Sequence, residues 1–398
     1  MATTNPIPDA TLPSEQTGCA LLVLLAALPP EQLGDVIAKL ASAFPPEDIV
    51  IAAPDPLATE AHPGLRIIPN PVVKATWILT AADFVNGHQL AQKNEARAIL
   101  ILGPEAGSLE VPALRELGNS VTSNSADLTV AHYDLPPRAG LINSAILYPL
   151  SRALFASRTR YPLAIDLGLS PRMAERLAFA GQRFTALNQT EMYLWPVNEA
   201  AAAGFTITEI AAGTRALPHP AESDLNTILP SLAGSLFTDI ETKAAFWQRA
   251  RQAPQTRSFA SNGNAQAVDA AADIAPMLQA FHLAYTNLQE IWSLVLPPNT
   301  LLGLKRLSLT DGAAFRMPES LWARIVYDFL LAHRLRTLNR GHLLGALIPL
   351  YLAWVASHFN VVSSGVDPER HIETVAAAFE IEKPYILSRW RWPDRFNP

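Results

Sequence analysis

The sequence predicts an α/β protein: an open, mainly parallel sheet with helices on both faces, followed by a helical C-terminal region. Three observations lead there. From residue 18 to about 155, short apolar runs alternate with segments of helical pattern, as strands joined by crossover helices do. The short runs, such as Ala98 to Leu102, read as buried strands. From about residue 266 the pattern changes to long apolar stripes at helical spacing.

The elements follow in order. Ala20–Leu25 reads as the first strand. Pro29, Pro30 and Glu31 open a helix running to Leu40, since proline and an acid suit a first turn. Asp48–Ala52 and Leu65–Ile68 are the next strands, and Thr80–Lys93 is a helix. Ala98–Leu102 is a strand, Pro112–Leu117 a short helix, Leu128–Ala131 a strand and Asn143–Phe155 a helix. Tyr161–Ile165 is strand-like, and Ser170 suits the cap of a helix starting at Pro171. The stripes Ile274 to Val295, Leu321 to Leu330 and Ile372 to Ile381 are core faces of helices. The division expected is a loose arm over 1–17, a sheet domain over 18–250, a linker over 251–265 and a helical domain over 266–398 packed on the first.

Composition narrows the function. The chain has 398 residues, a formal net charge of −6 and no basic block, which argues against nucleic-acid binding. Its one cysteine, Cys19, excludes an intrachain disulfide and a cysteine-based zinc site, and fits a cytoplasmic location. Cys19–Leu28 is apolar, but the first basic residue is Lys39, so a buried strand fits better than a signal peptide. Leu343–Ser357, interrupted by Pro349, is shorter than a membrane span and reads as a buried helix, with no transmembrane segment expected. Gly-x-Ser-x-Gly, P-loop and Gly-x-Gly-x-x-Gly motifs are absent, so hydrolase, kinase and dinucleotide readings gain no support. His333, His342, His358 and His371 fit no metal spacing. A homo-oligomer is compatible with the sequence.

In open sheets of this kind ligands bind at the carboxyl ends of the strands. Ala53-Pro54-Asp55 and Gly103-Pro104-Glu105 both follow such ends. Four stretches then fall in a familiar order: Ile99–Ser108, Tyr161–Ser170, Trp195–Gly204, and Gly213–His219 with Asp224-Leu225. With them the chain, from about residue 18 to its end, resembles GT-A glycosyltransferases of the family-2-like kind, in particular the mannosylglycerate and glucosylglycerate synthases. The end, Glu382 to Trp390, is similar to that of the glucosylglycerate-type proteins.

The resemblance implies transfer of a sugar from a nucleoside-diphosphate sugar to a small hydroxyl acceptor such as glycerate, with Mg²⁺ or Mn²⁺ at an Asp-x-Asp pair. Here that pair is Gly103-Pro104-Glu105, a degenerate form of the motif. The glycine of the family's Pro-Leu-x-Gly-Asp element is Ile165, while Asp166 is kept. Tyr193 stands at the position of the catalytic acid, with Glu191 two residues earlier, and His219 lies two residues beyond the metal-binding histidine position.

The assignments that follow are Asp166 and Glu191 as catalytic carboxylates and Glu105 with His219 as metal ligands. Asp55 would bind the nucleoside and Lys74 the diphosphate. Arg138 and Asn143 would hold the acceptor, an arginine fork being suited to a carboxylate. Each also reads as an ordinary loop, turn or surface residue. The alternative to a transferase is a catalytically degenerate GT-A-fold binding or scaffold protein.

Overall fold

The computed structural model describes residues 18–392 except 27, 29, 55–61, 63, 71–77, 105, 164, 189–191, 215–224, 251–256 and 259–272, and only the backbone of 30, 257 and 258. Its sheet comprises β1 (Leu21–Leu25), β2 (Ile49–Ala53), β3 (Arg66–Pro69), β4 (Ile99–Leu102), β5 (Leu128–Asp134), β6 (Leu167–Leu169), β7 (Ile207–Thr214) and β8 (Arg257–Ser258). The strand order is β3-β2-β1-β4-β6-β5-β7-β8. β6 runs antiparallel to both neighbours, and the other described pairings are parallel.

Both faces are covered, so the strands are apolar on both. Successive side chains alternate between faces. Leu21, Val23 and Leu25 of β1 enter one core with Val36 and Leu40 of α1 (Pro30–Ala43). Leu114 and Leu117 of a second helix, Val111–Thr122, join that core. Leu22 and Leu24 enter the other core with Phe84 of α2 (Ala81–Lys93). Numbering Val111–Thr122 as α3, the helices that follow are α4 (Tyr148–Phe155), α5 (Pro171–Ala186) and α6 (Pro196–Ala203). α5 and α6 complete the second layer through Met173, Leu177 and Val197. Ser170 caps α5 as expected, its hydroxyl accepting from the Met173 amide at 3.3 Å.

The structure departs from the sequence reading at two places worth noting. Tyr161–Ile165 is not a strand; pairing starts at Leu167, one residue after Asp166. Pro162 has no amide hydrogen to give a ladder, and the Asp166 side chain, not the backbone, takes the next donor from β4. Arg257–Ser258, inside the stretch read as a linker, forms β8 beside β7. The apolar run Leu343–Ser357, read as a buried helix, lies within one helix, Arg340–Ser363, that passes through Pro349.

The remaining helices build a bundle: α7 (Leu225–Thr242), α8 (Ala244–Trp247), α9 (Ala275–Asn287), α10 (Gln289–Val295), α11 (Pro298–Leu307), α12 (Glu319–Leu335), α13 (Arg340–Ser363), α14 (Pro368–Ile381) and α15 (Lys383–Arg391). α13 is, by length and composition, apolar enough to cross a membrane; 72% of its most apolar window is buried inside the protein, as a bundle's central helix would be.

The bundle and the sheet part share one core. Leu150 and Leu154 of α4 pack in the same cluster as the bundle residues Leu236, Phe237, Trp322, Phe329, Trp354 and Phe379. Ion pairs lock the contact. Arg152 meets Glu373 at 2.5 Å and Glu380 at 3.0 Å, and Arg160 meets Glu369 at 3.0 Å, all on α14. A fragment spanning 273–398 would leave this apolar surface bare, since most helix stability comes from packing an apolar face. It is expected to lack a cooperative thermal transition and dispersed amide resonances; a sharp transition in that fragment would show that the bundle folds alone.

Candidate functional site at the carboxyl edge of the sheet

β4 leads the chain to Gly103. The register Ile101↔Leu167 brings Gly103 beside Ile165 and Asp166. Asp166 is fully buried. Its Oδ1 accepts the Gly103 amide at 2.8 Å and its Oδ2 accepts the Tyr133 hydroxyl at 2.5 Å. Tyr161 donates its own hydroxyl to the Tyr133 carbonyl at 3.0 Å, and burial pushes the Tyr161 phenol up to about 12. Asp166 thus ties β4 to β5 where β6 begins. Its carboxylate faces inward, toward the Gly103 amide and the Tyr133 hydroxyl.

Gly103 has no room for a side chain. A Cβ there would overlap Ile165 Cγ2 and lie 3.3 Å from the Ile165 carbonyl oxygen. In the resemblance the acid stands at 103 and the glycine at 165; here the small and large residues are exchanged. The volume in which the first acidic side chain would start is occupied by isoleucine.

Behind this point lies a polar cluster that the sequence reading did not single out. Glu209 of β7, 5% exposed, accepts the Arg160 amide at 2.6 Å and lies 3.5 Å from His132 Nδ1. The Arg160 guanidinium sits 5.2 Å from the ring centroids of both Tyr148 and Tyr161. A charged residue inside an otherwise covered strand was the available signal, because buried carboxylates persist only when partnered.

The sequence-derived candidates separate accordingly. Asn143 opens a π-helical turn before α4 and donates to the Arg160 carbonyl at 3.0 Å. Arg138 is exposed, with its guanidinium 5.8 Å from the Phe359 ring of α13, so it leans on the bundle. Tyr193 is partly buried, and its hydroxyl accepts from Ser231 at 3.3 Å. Asp55, Lys74, Glu105, Glu191 and His219 lie outside the described residues. Asn143 holds the 157–166 segment through the Arg160 carbonyl, and Asp166, at the end of that segment, ties it to Gly103 and to Tyr133 of β5.

Among the described residues no three His, Cys, Asp or Glu side chains are grouped to hold a metal ion. The described part of the acidic-pair position does not fit the family's cation. Glycine offers no ligand, Ile165 fills the space, and the adjacent carboxylate is taken up by an amide and a phenol.

A mainly parallel sheet with helices on both faces and a helical region after it is the arrangement the resemblance implies. This agrees with a GT-A type of fold. No protein-family model and no curated protein matches the sequence. Among solved structures the chain is similar to glucosyl-3-phosphoglycerate synthase from Mycobacterium tuberculosis in complex with Mn²⁺, uridine-diphosphate-glucose and phosphoglyceric acid. Identity is 13%, 57% of this chain and 80% of that chain are covered, and the TM-score is 0.37. The same enzyme with Mn²⁺, uridine-diphosphate and phosphoglyceric acid gives 14% identity, 57% and 79% coverage and a TM-score of 0.36. At such values no residue role passes from one chain to the other.

Proposed function

We propose that this protein keeps the GT-A fold as a binding or scaffold module and has given up metal-dependent sugar transfer. The observation supporting this is the exchange at Gly103 and Ile165. A departing nucleoside diphosphate accumulates negative charge, and a Lewis-acid cation stabilises it by several kcal/mol. Even Mg²⁺, which keeps most of its waters, needs one or two carboxylates aimed at the diphosphate. In this chain one of the pair is glycine, and Asp166 spends both oxygens on structure.

The transferase reading, with a nucleoside-diphosphate sugar as donor and a small hydroxyl acceptor, draws its support from the retained sheet and from Glu105 at the second acidic position. It would assign Glu105 and His219 to Mg²⁺ or Mn²⁺, Glu191 to the missing acid, Asp55 and Lys74 to the nucleotide, and Arg138 to the acceptor.

Calorimetric titration of uridine, guanosine and adenosine diphosphates, each with and without Mn²⁺, separates the two. We expect no Mn²⁺-dependent nucleotide binding. Mn²⁺-dependent binding that disappears in Glu105→Ala, without a change in melting temperature, would establish the transferase reading instead.

A further inference from the structure

We propose that the helical bundle carries a binding site for a small phosphorylated molecule, in the groove between α11 and the segment that opens α12. The site does not rest on how the carboxyl edge of the sheet is read. The groove encloses about 370 Å³, within the range of small-molecule sites. Three arginines line it: Arg306 in the last turn of α11, Arg316 before α12, and Arg324 within α12.

The three cations are not used up by the fold. Arg306 makes no ion pair or side-chain hydrogen bond among the described residues. Arg316 uses one Nη on Glu319, at 3.3 Å, and Arg324 uses its Nε on Glu382, at 2.9 Å. The remaining guanidinium nitrogens of both have no hydrogen-bond partner among the described residues, and the Arg324 guanidinium lies 5.3 Å from the Tyr385 ring centroid. Glu319 lies 3.5 Å from His371 Nε2 as well, so it keeps a partner if Arg316 turns toward a ligand.

The chemistry selects a phosphoryl group. Three forks supply more donors than the two oxygens of a carboxylate accept, whereas a phosphate ester is near-dianionic with three acceptor oxygens. The hydroxyl of Ser320 adds a donor at the same wall. Leu307, Pro318 and Leu321 add apolar lining, which fits an organic ester with an apolar body better than a free ion.

The test uses phenyl phosphate as probe on the full chain, with phenol, benzoate and inorganic phosphate as comparisons, by calorimetry. Saturable binding of phenyl phosphate is expected, tighter than that of the other three. Charge-assisted hydrogen bonds are worth enough that Arg306→Glu should weaken it about tenfold or more. Lys305→Glu, the same charge change on an exposed neighbour outside the groove lining, should leave it nearly unchanged. Both positions are exposed, so the variants should melt as wild type does. Failure of phenyl phosphate to saturate, binding that survives Arg306→Glu, or equal loss in Lys305→Glu would overturn the site. Benzoate binding as tightly would overturn its phosphoryl character, and inorganic phosphate doing so would overturn the role of the apolar wall.

Discussion

Putting aspartate back at residue 103 is expected to destabilise the protein rather than rebuild a metal site. The backbone of Gly103 is held by the hydrogen bond its amide donates to Asp166 Oδ1, at 2.8 Å, and by β4 before it. A Cβ at that point overlaps Ile165 Cγ2. Isoleucine is branched at Cβ, so χ1 rotation offers little escape. Overpacking of this kind costs about 1–3 kcal/mol. The introduced carboxylate would also lie beside the buried Asp166 carboxylate, and like charges out of water repel. Together these predict a loss on the order of 3 kcal/mol for Gly103→Asp, read as a lower urea midpoint. Adding Ile165→Gly should return part of it, because the two sites touch and couple. A Gly103→Asp variant as stable as wild type, or a double variant showing simple additivity, would remove the packing argument and with it the main support for loss of the cation site.

Much of the sheet could be read from the sequence, and the reasons are physical. β1, β2, β4 and β5 are apolar and short because both faces are covered, and turn residues bound them. β6 could not be read. It has three residues, including Gly168, and it exists only because β4 and β5 present edges to it. The site was less legible still. Asp166 is a candidate catalytic acid until Tyr133, 33 positions earlier, is seen to donate to it. The exchange between Gly103 and Ile165 becomes visible only once the register of β4 against β6 is known. Arg306, Arg316 and Arg324 share no helical period, and the turn between α11 and α12 brings them to one groove. Side-chain pairing across long separations is not written in local pattern.

The bundle should be acid-sensitive well above the carboxylate range. His358, fully buried on α13, shares a 2.7 Å Nδ1–Nδ1 contact with His371 of α14. Glu319 accepts the His371 Nε2 hydrogen, so a neutral His371 offers its bare Nδ1 to the Nδ1–H of His358. His358 Nε2 then has no partner among the described residues, and a proton placed there would be buried and unpaired. Burial, with His371 and Arg160 nearby, pushes His358 down to about 3. His333, packed edge-on to Phe237, is pushed down to about 4 by burial and by Arg340. The unfolded chain takes up these protons near pH 6.5. Depressed folded values mean that the unfolded state binds more protons below that pH, so stability is full above it and is lost as pH falls toward 4 and 3. Glu319, held at about 2 chiefly by its bond to His371, acts in the same sense at lower pH. Between pH 7 and pH 5 each histidine should remove about 2 kcal/mol, about 4 kcal/mol together. Urea denaturation at the two pH values measures the loss. His333→Phe keeps the ring contact with Phe237 while removing the titrating group, so about half of the pH dependence should vanish in that variant. A wild-type midpoint that stays level from pH 7 to pH 5, or a His333→Phe protein with the full slope, would show that these histidines are not held neutral by the fold.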